Sequence, residues 1–191
     1  MIASDVLCER AREYVSVITC YLKGFWCQRL TQAEYDRILK MYPVNEKYNN
    51  ERYIGSEAYA SDCICWIKQL LGGGSIGHRL SYKEMASNPL GDCTTQRFKA
   101  SLTDCIASVE PPAGYGLATD THAALSLGGG VWIDCNFDAN QNGIAIHTGG
   151  VPRMFIAGKI PGVLYEVSPP TERDILRKFT DWLIDTYLTH K

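Results

Sequence analysis

His122-Ala123-Ala124-Leu125-Ser126-Leu127-Gly128-Gly129-Gly130-Val131-Trp132-Ile133-Asp134-Cys135-Asn136 is the stretch on which the fold turns. Two β-prone runs flank three glycines, and together they read as a hairpin that closes at Gly128–Gly130. Residues near 122 then lie beside residues 134 to 136. The period of two along a strand puts Asp134 and Asn136 on one face. Either side chain could accept a proton from the far ring nitrogen of His122. That would fix the imidazole tautomer as the third member of a catalytic group does.

Working outward, residues 143–147, 153–157 and 163–167 are further short strand candidates. Beyond them, Thr171 and Asp174 resemble an N-terminal cap. A terminal helix then carries Ile175, Leu176, Phe179, Trp182, Leu183 and Leu188 on one stripe. Upstream, the recurrence of Val6, Leu7, Ala11, Tyr14, Val15 and Ile18 predicts a helix over 4–22. A second helix is expected over 31–41, capped by Thr31 and ended by Pro43, and residues 42–60 read as a loop. A third begins at Asp62, runs through Cys63, Trp66, Ile67, Leu70 and Leu71, and stops at Gly72-Gly73-Gly74. Residues 93–108 give one more helical stretch. Helices first and strands later describe an α+β fold. The expectation is one domain over 1–191, with N-terminal helices packed on a small antiparallel β-sheet and a C-terminal helix added.

The chain has 191 residues, 46% hydrophobic and 21% charged, which suits one well-filled core. A net charge of -2 supplies no bulk attraction to nucleic acid or to an anionic membrane. No run approaches the roughly 20 apolar residues of a membrane span. The N-terminus has no basic region followed by an apolar run, so synthesis in the cytoplasm without a signal peptide is expected. The eight cysteines form no CxxC pair, which argues against a zinc site, and most should act as small buried hydrophobes.

A thiol attacks a carbonyl as thiolate, and so needs an imidazole and a favourable field. Four Asp-Cys pairs occur, at 62–63, 92–93, 104–105 and 134–135, so the pair alone selects none. Cys63 stands out because it opens the best-defined apolar helix, where free N–H groups favour negative charge. Cys93 is its rival. Of the four histidines, His78 lies in a glycine-flanked loop and His190 beside the C-terminus. His147 ends a short strand and is placed to support a site from behind. His122 begins the hairpin and is the candidate base.

Asp62-Cys63-Ile64-Cys65-Trp66-Ile67-Lys68 resembles the nucleophile motif of the NlpC family of cell-wall cysteine peptidases, Asp-Cys-Ser-Gly before an apolar helix. The segment from His122 to Asp134 resembles that family's histidine motif, with Asp134 at the position of its third polar residue, twelve after the histidine. Tyr21-Leu22-Lys23-Gly24-Phe25-Trp26-Cys27-Gln28-Arg29-Leu30-Thr31 is similar to the aromatic segment of lysin-like members from prophages. The resemblance spans roughly residues 10–165. Ile64 replaces Ser, Cys65 replaces Gly, and Ala123-Ala124 replaces Val-Gly; none of these removes a catalytic group.

The resemblance implies a papain-like thiol protease fold and hydrolysis of amides in peptidoglycan stem peptides, by an endopeptidase or an amidase. Cys63 is then the nucleophile, His122 the base and Asp134 its orienting residue, with Asn136 in reserve. The Cys63 and Ile64 amides and Tyr21 would hold the oxyanion. No cofactor is required. Release through a holin, as for a bacterial prophage lysin, or secretion as an effector with a cognate immunity protein, would bring the chain to the wall. The same site also suits a thiol acyltransferase or deamidase acting on proteins. A papain-like binding module without catalysis is the alternative from another class.

Overall fold

The computed structural model describes residues 1–165, except Ala139 and the side chain of Tyr82. The expected terminal helix after Thr171, together with His190, lies outside the described residues. The architecture is α+β, as the order of elements in the sequence predicts.

The chain opens with β1 (Ile2–Ala3) and α1 (Ser4–Glu13), which buries Leu7, Cys8 and Ala11. It then departs from the expected helix. Residues Ile18–Tyr21 form β2, which pairs in parallel with β4 (Tyr59–Ser61); β4 is flanked on its other side by antiparallel β3 (Gln28–Arg29). Val15, Val17, Ile18 and Thr19 are β-branched and suit a pleated surface better than a helix. Helix α2 (Gln32–Met41) is capped by Thr31, whose hydroxyl accepts from the Glu34 amide while Glu34 reaches back. The expected loop holds two 3₁₀ turns, Pro43–Tyr48 and Asn50–Tyr53, before β4. This N-terminal part closes over its own small core of Leu22, Phe25, Leu30, Tyr35 and Ile38.

Helix α3 (Cys65–Leu71) is buried along its whole length. Its Lys68 ammonium is held by the Asp92 carboxylate at 3.2 Å and the Cys93 carbonyl at 3.3 Å, above the Trp26 ring. Pairing and cation–π contact are what make a buried ammonium tolerable. A short α4 (Tyr82–Ala86) and α5 (Thr95–Ser101) follow, and β5 (Thr103–Ile106) takes the second half of the expected 93–108 helix.

The remaining strands are β6 (Gly116–Ala118), β7 (Ala123–Gly128), β8 (Val131–Phe137), β9 (Asn142–His147), β10 (Ile156–Lys159) and β11 (Val163–Leu164). Six strands make one antiparallel sheet in the order β5-β10-β6-β7-β8-β9, while β1 pairs with β11 separately. One face, with Leu125, Ile133 and Cys135, packs on α1 and α3 in the main core. The other carries Ala124, Trp132 and Phe155. The hairpin β7–β8 forms as expected, with all three turn glycines at positive φ.

Candidate active site

Two register facts build the site. Ala124 pairs with Asp134, and Asp134 pairs with Ala145. His122 stands two residues before Ala124, and His147 two after Ala145. Both are therefore diagonal neighbours of Asp134 on one face, close enough for long side chains to meet.

They do meet. His122 Nε2 lies 2.6 Å from Asp134 Oδ2, and His147 Nε2 lies 2.9 Å from Asp134 Oδ1. Gln141 Nε2 donates to the same Oδ1 at 2.7 Å. A carboxylate only accepts, so each imidazole presents an Nε2–H to it. Burial alone would raise the Asp134 pKa, but the His122 and Gln141 hydrogen bonds and the two imidazoles hold it below its ordinary value. Asn136, the reserve for this role, makes no side-chain hydrogen bond to His122.

The Nε2–H of His122 is committed to Asp134, which leaves Nδ1 for the thiol. Cys63 lies near enough to the ring to influence its charge. Burial opposes the imidazolium; Asp134 and Cys63 outweigh it and raise the His122 pKa to about 9. The thiol's other polar neighbour is the Thr95 hydroxyl, at a long 4.0 Å. Phe155 flanks the imidazole with ring centres 6.0 Å apart, and Trp132 stacks on His147 at 4.0 Å.

The surroundings of Cys63 correct one expectation. It does not sit inside a helix; it lies in the turn ahead of α3. The Asp62 carboxylate takes the free amides there, with Oδ1 accepting from Ile64 N–H at 3.1 Å and Cys65 N–H at 2.6 Å. Oδ2 accepts from Gly24 N–H at 2.7 Å. The Ile64 amide is thus spoken for and is not an oxyanion donor. The Cys63 N–H has no partner among the described residues. The free amides expected to face the thiol are thus taken by Asp62.

Tyr21 ends β2 beside Cys63. Burial, then the neighbouring Cys63 and Asp62 charges, push its phenol well above the ordinary range, so it keeps its O–H. Its backbone is pinned on both sides: its N–H donates to Asn142 Oδ1 at 2.7 Å and its carbonyl accepts from Asn50 Nδ2 at 2.6 Å. Tyr48 meets it edge-on at 5.3 Å and is raised by burial and by Cys63. Nothing in the local sequence around Tyr48 signals that position, because a 3₁₀ turn delivers it.

The other candidates fall elsewhere. Cys93 is buried with its thiol pushed up by burial, and Lys68 rather than a histidine is its charged neighbour. His78 pairs with Glu84 at the surface. All eight cysteines are free thiols. Among the described residues no cluster of His, Cys, Asp or Glu is placed to hold a metal ion, and no helix is long and apolar enough to cross a membrane. Family models, curated proteins and solved structures were each compared with this chain, and none matches.

Proposed function

We propose that this chain is a papain-like cysteine hydrolase that cleaves amide bonds in peptidoglycan stem peptides, as an endopeptidase or an amidase. One observation carries the catalytic part: His122 is hydrogen-bonded to the buried Asp134 carboxylate and stands near the Cys63 thiol. The peptidoglycan part is supported by the resemblance of the cysteine and histidine motifs to cell-wall peptidases.

His122 takes the Cys63 proton, and the thiolate attacks the amide carbonyl. The oxyanion forms opposite the Cys63 N–H, with the Tyr21 hydroxyl as the second donor. His122 then passes its proton to the leaving amine, and the C–N bond breaks to leave a thioester. Water, deprotonated by the same imidazole, releases the acid and restores the thiol. Asp134 keeps the Nε2–H in place throughout and stabilises the imidazolium. Access to the wall would follow holin-type release or specialised secretion, the latter implying an immunity protein.

The test is digestion of purified peptidoglycan by the wild type and by Cys63→Ala, with fragments read by mass spectrometry. Release by the wild type alone supports the reading and names the bond. Equal release by both removes Cys63 as nucleophile. Inertness of both removes peptidoglycan as substrate.

A further inference from the structure

A surface cavity of about 560 Å³ is lined by Ala107, Ser108, Val109, Arg153 and Phe155. Two segments build it: the loop that follows β5 and the turn that precedes β10. They are tied together by the Val151 N–H donating to the Val109 carbonyl at 2.8 Å. The turn is closed by the Phe155 N–H on the Pro152 carbonyl at 3.0 Å, and Arg153 stands within it. Phe155 is the shared wall. One side of the residue lines the cavity, and its ring centre is 6.0 Å from that of His122.

Arg153 is the only charged residue in the lining, and it has no acidic partner among the described residues. The nearest acid on the loop is Glu110, whose side chain lies toward Gly130. The Glu110 N–H donates to Ser108 Oγ at 3.0 Å, which fixes that oxygen and leaves its hydrogen to be donated. A guanidinium and a hydroxyl between apolar walls make a receptor for a carboxylate. In a hydrolase of this kind the leaving amine must lie against the imidazole that protonates it. The cavity shares Phe155 with the surroundings of His122, and Tyr21 is not in its lining, so its occupant is assigned to the amine half of the substrate.

We propose that this cavity binds a carboxylate on the amine side of the scissile amide, with Arg153 as counter-ion and Ser108 as second donor. The proposal rests on the reading of Cys63 and His122 as the reacting pair. It makes the preferred substrate an amide whose amine component is an amino acid or peptide with a free carboxylate.

The test avoids the natural substrate. Chloroacetyl-glycine and chloroacetyl-glycylglycine are offered, each as the free carboxylate and as the carboxamide, to wild type, Arg153→Gln and Arg153→Lys. In each reaction the Cys63 sulfur bonds to the methylene carbon and chloride leaves. Labelling of the Cys63 peptide is followed by mass spectrometry, with iodoacetamide as a reference for an intact site. For at least one length the carboxylate should label the wild type roughly threefold to tenfold faster than the carboxamide. That preference should vanish in Arg153→Gln and persist in Arg153→Lys, with iodoacetamide rates alike in all three. Attraction by the His122 imidazolium is common to the three proteins and cancels. Normal iodoacetamide labelling with a carboxylate preference that is absent, or unchanged in Arg153→Gln, overturns the subsite alone. Failure of iodoacetamide to label Cys63 in the wild type overturns the reacting pair, and the subsite with it.

Discussion

Cys63 and Cys65 stand two residues apart, and each is 4% exposed. Burial therefore does not distinguish them. Cys65 faces the main core, where burial and the Asp62 carboxylate push its thiol far up and Lys68 only partly offsets them. Cys63 lies beside an imidazole whose charge Asp134 supports. On the proposed reading, a cysteine in this fold is set apart by what stands next to it and not by how much water it loses.

The sharpest way to break that comparison is to remove each thiol in turn. Cys63→Ala should lower kcat/KM by about 10³-fold or more, since the thioester route is lost. Cys65→Ala should leave kcat/KM within about threefold and cost about 1–2 kcal/mol of stability in denaturant unfolding, through the small cavity it opens. Comparable activity losses in the two would refute the distinction.

Asp134→Asn comes next. It preserves shape while replacing an acceptor by a group that must turn a donor toward one imidazole. A loss of about 10²–10⁴-fold in kcat/KM is expected, with slower alkylation of Cys63 near neutral pH. Unchanged alkylation would mean that the carboxylate does not support the imidazolium.

Asp62→Ala addresses the turn that presents the thiol. It strips the acceptor from three amides, those of Gly24, Ile64 and Cys65. A loss of about 2–4 kcal/mol in unfolding free energy is expected. A cost below about 0.5 kcal/mol would show that the turn holds without its carboxylate.

The smallest effect is in pH. The folded His122 titrates near 9, above its ordinary value. Its contribution is therefore complete below the unfolded value of about 6.5 and is lost as pH rises through about 9. The upper bound is about 3 kcal/mol, drawn from Asp134 and Cys63 together. Thermal unfolding should fall by roughly 5 °C between pH 7 and pH 10 in the wild type, and by less in Cys63→Ala. Equal slopes would remove the thiol from the imidazole's account.

The β7–β8 hairpin was legible because a glycine turn and a period of two fix which side chains share a face. That pattern alone places His122 and Asp134 together. The same reasoning left Asn136 as a rival, since parity separates faces but not opposite from diagonal neighbours. His147 needed the β8–β9 register as well, which depends on a turn where Asp138 Oδ1 accepts from the Asn140 and Gln141 amides. The helix predicted over 4–22 failed at its second half for a non-local reason. Val15 and Ile18 fit an apolar helical face, but Ile18–Tyr21 finds its hydrogen bonds in Tyr59–Ser61, some forty residues on. The role of Asp62 was illegible too, because Asp precedes Cys four times and only folding shows which carboxylate meets the Gly24 amide.

Gly143 sets the interval between the two halves of the site. At φ +102° it lies so near β2 that an added Cβ would come within 2.8 Å of the Cys20 nitrogen. At Gly143 the strand bearing His147 and the strand bearing Tyr21 therefore touch main chain to main chain. The gap between Tyr21 and the His147 that supports Asp134 is gauged like two blocks set face to face. Substitutions across the mouth of the site would re-decorate its walls without altering that gauge, whereas a single methyl group at residue 143 would reset it.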